Sequence, residues 1–204
     1  MPECNRVTPY GDIIIAPDER GRFMGNRGCL HEGHDIVRPW NGKRWITCVL
    51  EFRGRRAPRW EPRRYTALFF HDEAVAFAAG HRPCAECRHA DYQRYRDAWD
   101  AAFGVRLGAD DMDEQLHHDR LDGRKKRLYS EPWDDVPEGA FVDLDGAPAL
   151  VIGEQLRAWS PGVGYGEAIA CPTAGTATVI TPAANVAVLR AGYVLDVSPA
   201  ASGT

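Results

Sequence analysis

Apolar and polar positions alternate along RWITCVLEFR, residues 44–53, so that Ile46, Cys48, Leu50 and Phe52 share one face, as a half-buried strand requires. Residues 63–70, RRYTALFF, repeat the pattern, and the arginine-rich GRRAPRWEP between the two reads as the loop of a β-hairpin. Cys48 is expected to point inward. Upstream, DIIIA at 12–16 predicts a short strand, followed by a glycine-rich loop, GRFMGNRGCLHEGHD. The period then changes. Asp72 is placed to cap a helix over 73–79 that Gly80 ends. Seven residues do not hold a helix alone in water, because nucleation outweighs so few backbone bonds, so something must pin it. A longer helix from about Ala90 to Phe103 carries Tyr92, Tyr95, Trp99 and Ala102 on one stripe, and residues 110–122 form a second, with Met112 and Leu116 on its apolar side. In the last seventy residues, FVDLDGAPALVI signals a hairpin with Asp-Gly at the turn and TATVIT a strand. TPAANVAVLRAG signals a helix begun by Thr181 and Pro182 and stopped at Gly192, and YVLDV a closing strand. The pattern predicts an α+β fold, with a hairpin and short helices in the N-terminal half and a β-rich C-terminal half. The expected units are 1–104 and 105–204, separate or packed as one, with the change of character near GRKKRLYSEPWDD.

A chain of 204 residues can bury a core without disulfide staples, and a hydrophobic content of 44% argues against disorder. No run of eighteen apolar residues occurs, and MPECNRVTPYGD lacks the basic and apolar blocks of a signal peptide, so the expectation is a cytoplasmic protein with no membrane partner. Six cysteines, Cys4, Cys29, Cys48, Cys84, Cys87 and Cys171, are then expected as reduced thiols, with a clustered subset serving a metal or catalysis. The formal net charge of −4 is unevenly spread. Arg38 to Arg64 carries a net +7 and Glu131 to Thr204 a net −7, which suggests that one face meets an anion.

The stretch FFHDEAVAFAAGHRPCAECRHADY sets Cys84 and Cys87 three apart behind Pro83, which rigidifies the turn. Such a pair brings two sulfurs within reach of one tetrahedral ion; redox chemistry or plain buried thiols are the alternatives. The redox reading needs a strand-to-helix junction in a thioredoxin-like unit, whereas this pair follows a hairpin and a capped stub of helix.

About twenty residues of this stretch resemble the Ada-type zinc-binding domain of DNA-methylation repair, in which a strand ending in aromatics leads through a short EAxAAG helix to Arg-Pro-Cys-x-x-Cys. A weaker extension runs back to Cys48. The resemblance implies a four-ligand Zn2+ site, with Cys84 and Cys87 as one pair and Cys48 in the other. Four residues before Cys48, where the family often has a ligand, stands Arg44, which cannot ligate. The fourth ligand is expected from GCLHEGHD, with His31 ahead of Cys29 and His34. His81 takes the place of an aromatic residue and is assigned to packing; His71 and His89 flank the motif outside the family's ligand positions. Four thiolates would leave a zinc site at −2, whereas three thiolates and an imidazole leave −1 and a less nucleophilic sulfur. A structural zinc that pins the short helix against the hairpin is therefore expected ahead of methyl acceptance.

RGRRAPRWEPRRY places Arg53, Arg55, Arg56, Arg59, Arg63 and Arg64 close together, with Trp60 and Tyr65 between them. Arginine forks for phosphate and an aromatic for base stacking suit nucleic acid, DNA ahead of RNA. The alternative is a solvated hairpin tip whose arginines pair with the acidic C-terminal part. In DDMDEQLHHDR, Asp113, His117 and Arg120 fall on one helical face: an Asp to orient a His, and an Arg to bind an oxyanion, make a candidate acid/base group, set against an ordinary solvated face. WSPGVGYGE lacks the lysine and helix of a phosphate-binding loop, and its Trp159 and Tyr165 are assigned to the core, as is the small residue Cys171. The leading expectation is a zinc protein that binds nucleic acid, with room for a DNA-repair, hydrolytic or base-processing activity after residue 105. The others are an enzyme acting on a small anionic metabolite with a purely structural zinc, and a non-catalytic interaction protein.

Overall fold

In the computed structural model, which describes residues 3–57 and 59–202, two six-stranded sheets carry the fold, with helices against them. In space the first sheet runs Arg82–Pro83, Ile46–Cys48, Phe23–Asn26, Leu68–Phe70, Cys4–Val7, Ile13–Ile15. The second runs Tyr129–Pro132, Thr176–Val179, Phe141–Leu144, Ala147–Ile152, Gln155–Ser160, Gly164–Ala170, antiparallel throughout. The architecture is α+β. No described helix is long and apolar enough to cross a membrane.

The expected hairpin between residues 44–53 and 63–70 does not form. The strand Phe23–Asn26, inside the segment expected to be a loop, lies between the two, so that Met24 faces Cys48 on one side and Phe69 on the other. Gly25 permits this: a Cβ there would stand 2.2 Å from the Ile46 carbonyl oxygen. The alternation from 44 to 53 also breaks after Cys48. Glu51–Phe52 folds back on Arg55–Arg56 through Arg53 and Gly54, both at positive φ, and Leu50 is exposed. YVLDV is not a strand. Its backbone is held by side chains instead, Glu73 accepting from the Asp196 N–H and Asp72 from the Ser198 N–H, each at 2.9 Å.

The helix α1, Glu73–Ala78, begins at Asp72, whose carboxylate accepts from the Val75 N–H at 3.0 Å, and the chain leaves it through Gly80 at φ 92°. Every residue of α1 is buried. The pin sought in the sequence is therefore packing plus polar anchoring. Asp72 also accepts from the Tyr165 hydroxyl at 2.8 Å, and Glu73 accepts from the Tyr193 hydroxyl at 2.9 Å and pairs with Arg88 at 2.7 Å. Val75, Phe70 and Val7 share one apolar cluster with Phe141, Leu150 and Trp159. A second cluster joins Tyr95 and Trp99 of α2, His89–Phe103, to Val142, Val179 and Val186. Residues on both sides of position 105 thus build the same cores. Ala102, expected on the apolar stripe of α2, is exposed, because that helix runs past its partners in its last turn. Thr181 does not cap α4, Ala183–Arg190; its hydroxyl accepts from the Phe141 N–H, and Asp119, near the end of α3 (Ala109–Arg120), accepts from the Ala184 N–H at 3.0 Å.

Asp72→Ala removes the cap and leaves a buried hydroxyl and a backbone N–H without their acceptor. The expected loss is about 2–4 kcal/mol of unfolding free energy by urea titration; an unchanged midpoint would show that Asp72 does not anchor the helix.

A three-cysteine candidate metal centre in an arginine-lined cleft

The strand Arg82–Pro83 runs parallel to Ile46–Cys48, with Arg82 opposite Ile46 and Pro83 opposite Thr47. The Cys84 N–H donates to the Thr47 carbonyl at 2.8 Å, so this register brings Cys84 beside Cys48. The turn Cys84–Cys87 then closes as the Arg88 N–H donates to the Cys84 carbonyl at 3.2 Å, where α2 begins. The sulfurs of Cys48, Cys84 and Cys87 lie within 4.8 Å of one another. Cys48 and Cys84 are buried and Cys87 is half-buried.

The three thiols are hydrogen-bonded to one another. Hydrogen bonds from the side chains of Cys48 and Cys87, and from the backbone N–H groups of Cys87 and Glu86, hold Cys84 far below the ordinary thiol range. Cys48 is driven up by its hydrogen bonds to Cys84 and Cys87 and by burial. For Cys87 the bond to Cys48 acts downward, but the bond to Cys84 and burial outweigh it and raise it, while the Val49 N–H supports its sulfur. Backbone donors aimed at sulfur favour thiolate, the form that binds metal.

The donor set fits a thiophilic ion. A tetrahedral zinc with Zn–S bonds of about 2.3 Å holds its sulfurs roughly 3.8 Å apart, a separation inside the 4.8 Å span of this cluster. The sulfurs open on a cleft of about 800 Å³ whose other lining includes Tyr65, Glu61, Glu86, Arg55, Arg56 and Arg64. Among the described residues no histidine joins the group.

His31 is the clearest correction. Its Nδ1 lies 2.6 Å from the Thr66 hydroxyl, its Nε2 3.2 Å from the Glu61 carbonyl, and its ring meets Trp60 edge-on. Both nitrogens are thus engaged away from the sulfurs. The surrounding loop does not fold over the metal position, because Leu30 is fully buried and His31–Glu32 pairs with Asp35–Ile36. Cys29 contacts the His31 carbonyl, and His34 packs against Trp60. No family model, no curated protein and no solved structure matches this chain.

The arginine segment divides by position. Arg55, Arg56 and Arg64 line the cleft, and Arg63 lines a separate hollow beside His31. Arg53 stacks over Phe52 with 4.9 Å to the ring centroid. Trp60 is turned inward, its N–H donating to Glu3 and its ring against His31 and His34, so it does not present a free stacking face. Pro58, within this segment, lies outside the described residues. The ion pairs of Arg56, Arg59 and Arg64 run to Glu51, Glu3 and Glu61; among the described residues none reaches the acidic C-terminal part, contrary to the alternative read from charge alone. These arginine side chains are 66–83% exposed, where such pairs contribute little.

Asp113, His117 and Arg120 do not form the expected acid/base group. Asp113 is buried and takes a two-point ion pair from Arg82, at 2.9 and 2.7 Å; burial raises its carboxyl against the pull of that guanidinium. It therefore does not orient His117. Arg120 is fully buried, donating to the Gly80 carbonyl at 2.9 Å and lying 3.0 Å from His117 Nδ1. His117 is lowered first by burial and then by Arg120. Asp113, Asp119 and Arg120 lie on the buried side of the helix with Met112 and Leu116.

The sequence reading missed the pair that positions the cysteine turn. Arg82 and Arg88 bracket it: Arg88 binds Glu73 and Asp91, each at 2.7 Å, and donates to the Thr47 hydroxyl at 3.0 Å. The signal was present as arginines on either side of the motif, Arg-Pro-Cys-x-x-Cys-Arg. Asp113→Ala strands Arg82 and is expected to lose about 3–5 kcal/mol of stability, whereas His117→Ala, which removes a partly exposed ring, is expected to lose about 1 kcal/mol; thermal unfolding of both variants compares them.

Proposed function

We propose that the chain is a zinc-thiolate protein that binds nucleic acid across the arginine-lined cleft, DNA ahead of RNA. The observation that supports this reading most directly is that Cys48, Cys84 and Cys87 open on the same cleft as Arg55, Arg56 and Arg64. Three thiolates are soft donors that favour zinc over magnesium or calcium. The three arginines project far into solvent, hold only weak local partners, and face an acceptor with planar two-point donors. Tyr65, at the same wall, is raised by burial and by the neighbouring thiols, and its half-buried ring offers an aromatic face beside the sulfurs.

Cys48, Cys84 and Cys87 would hold the zinc, which would supply a Lewis-acidic centre beside the cleft. Three thiolates with Zn2+ carry a formal charge of −1, less than the −2 of a four-thiolate site, so the sulfurs are weaker nucleophiles than in the Ada-type domains that the motif resembles. The reading therefore assigns the residues to holding the metal and gripping phosphate: Arg55, Arg56 and Arg64 bind the backbone, the N–H groups of Glu86 and Cys87 favour the Cys84 thiolate, and the Val49 N–H supports the Cys87 sulfur.

Two measurements test it. X-ray absorption on purified protein should show three sulfurs and one light atom around a single zinc, and Cys84→Ser should lose the metal. Fluorescence anisotropy with a duplex should show three phosphate contacts as a roughly forty-fold loss of affinity between about 50 and 200 mM salt. Arg55→Ala combined with Arg56→Ala should flatten that salt slope by about two units. Absence of binding at the lower salt would overturn the nucleic-acid reading and leave the metal reading standing.

A further inference from the structure

Strand alternation places Met24, Ile46 and Cys48 on the cleft side of the first sheet, and sends Trp45 and Arg27, one residue beyond their strands, to a second, smaller cavity of about 70 Å³. Arg27 and Arg120 enter it from different elements, and both guanidinium carbons lie 4.0 Å from the centroid of the Trp45 ring. Lys126 joins them, bound to the Ala78 carbonyl. Arg27 is 1% and Arg120 0% exposed.

What sets these cations apart is the lack of a carboxylate in contact: Asp12 acts on Arg27 and Lys126, and Asp113 and Asp119 on Arg120, only through space. The other two deeply buried arginines in this part of the fold are paired, Arg82 with Asp113 and Arg88 with Glu73, both at 2.7 Å. Among the described residues no carboxylate lies within 4.0 Å of Arg27, Arg120 or Lys126. Arg27 donates only to neutral groups, the Gly11 carbonyl at 2.8 Å and His81 Nε2 at 3.2 Å. His81 Nδ1 faces the Ala76 carbonyl at 3.3 Å, consistent with a neutral ring, and burial together with Arg27 holds its pKa well below the usual range. The second terminal nitrogen of Arg27 and Nε of Arg120 are buried with no hydrogen-bond partner. Burial pushes both guanidiniums and, further, the Lys126 ammonium down from their ordinary values, yet a guanidinium does not give up its proton in a protein. Buried unpaired charge is strongly destabilising, so a fold that retains this cluster is expected to satisfy it with a ligand.

The cavity wall is shaped for close approach. Gly11, at φ 93°, leaves open the space in front of Arg27; a Cβ there would stand 3.6 Å from the free terminal nitrogen. Arg124 and Asp12 stand at the exposed rim. Four cations against one acid favour a dianion over a monoanionic carboxylate. A volume on the order of two water molecules admits a terminal oxyanion group and excludes a backbone phosphate, which would need strand entering and leaving.

We infer that this cavity is a binding site for a terminal phosphate group, with Arg27 and Lys126 donating to its oxygens and Arg120 and Arg124 supplying charge. The site is separate from the cleft and does not depend on the zinc or nucleic-acid reading. Thermal unfolding of the full chain in inorganic phosphate, against sodium chloride of equal ionic strength, tests it. Phosphate should raise the midpoint by about 2–5 °C in a saturable way. Arg27→Met should abolish the rise. Because that variant changes the core, Lys126→Gln and the rim variant Arg124→Gln are read alongside, each expected to weaken phosphate binding about five- to ten-fold while leaving zinc content and cleft binding intact. A rise that chloride reproduces, or one that survives both Arg27→Met and Lys126→Gln, would overturn the assignment. So would an unphosphorylated duplex giving the same Lys126-dependent rise, since that would place a backbone phosphate in the cavity.

Discussion

A six-residue helix with no surface of its own is the constraint around which the rest of this fold is arranged. Every residue of Glu73–Ala78 is buried, so its polar ends must be satisfied by protein rather than water. Asp72 and Glu73 do this by reaching Tyr165, Tyr193, Asp196 and Ser198, all more than ninety residues away in sequence. The helix thereby ties the first sheet to the chain's last stretch, and its exit through Gly80 aims the chain into the strand beside Ile46–Cys48. The cysteine turn stands where it does because α1 ends where it does.

Charge inside the protein follows two regimes. Arg82 and Arg88 flank the cysteine turn and are each matched by an acid from another helix, Asp113 of α3 and Glu73 of α1, so the loop that carries Cys84 and Cys87 is clamped from two directions. Paired in this way, a buried guanidinium fixes geometry; breaking one pair leaves a charge with nowhere to go. Among the described residues the polar and aromatic contacts of Arg27 and Arg120 are Trp45, carbonyls and imidazoles, and the nearest carboxylates act on them only through space. Aromatic faces and carbonyl dipoles offset part of the desolvation of a cation but not a full unit of charge. The contrast separates residues that hold the scaffold from those to which we assign the anion.

On the two proposals, one sheet would serve two chemistries through the alternation of its strands. Met24, Ile46 and Cys48 turn toward the wide cleft with its sulfurs and solvated arginines, while Trp45 turns toward the narrow cationic cavity. Their settings differ in dielectric. The cleft arginines are screened by solvent, which suits reversible, salt-sensitive contact with an extended polyanion. The enclosed cations are not, which suits a small ligand bound at short range.

Local chemistry along the chain was enough to place the helices α1 to α4 within a residue or two, the Asp-Gly hairpin and the cap at Asp72, because capping, glycine termination and periodicity act within a few residues. The gathering of Cys84 and Cys87 with Cys48 was legible from the motif and its resemblance. What the sequence could not decide was which strands pair. Phe23–Asn26 looks like a loop because Gly25 breaks its pattern, yet that same glycine admits it between two strands that would otherwise have paired with each other. With that register fixed, His31 was committed to Thr66 and the backbone, Asp113 to Arg82, and Arg120 to the cavity around Trp45. Helical spacing says which residues share a face but not what that face meets. Whether a charged side chain is solvated, paired or left waiting for a ligand is set by non-local packing, and only the tertiary structure contains it.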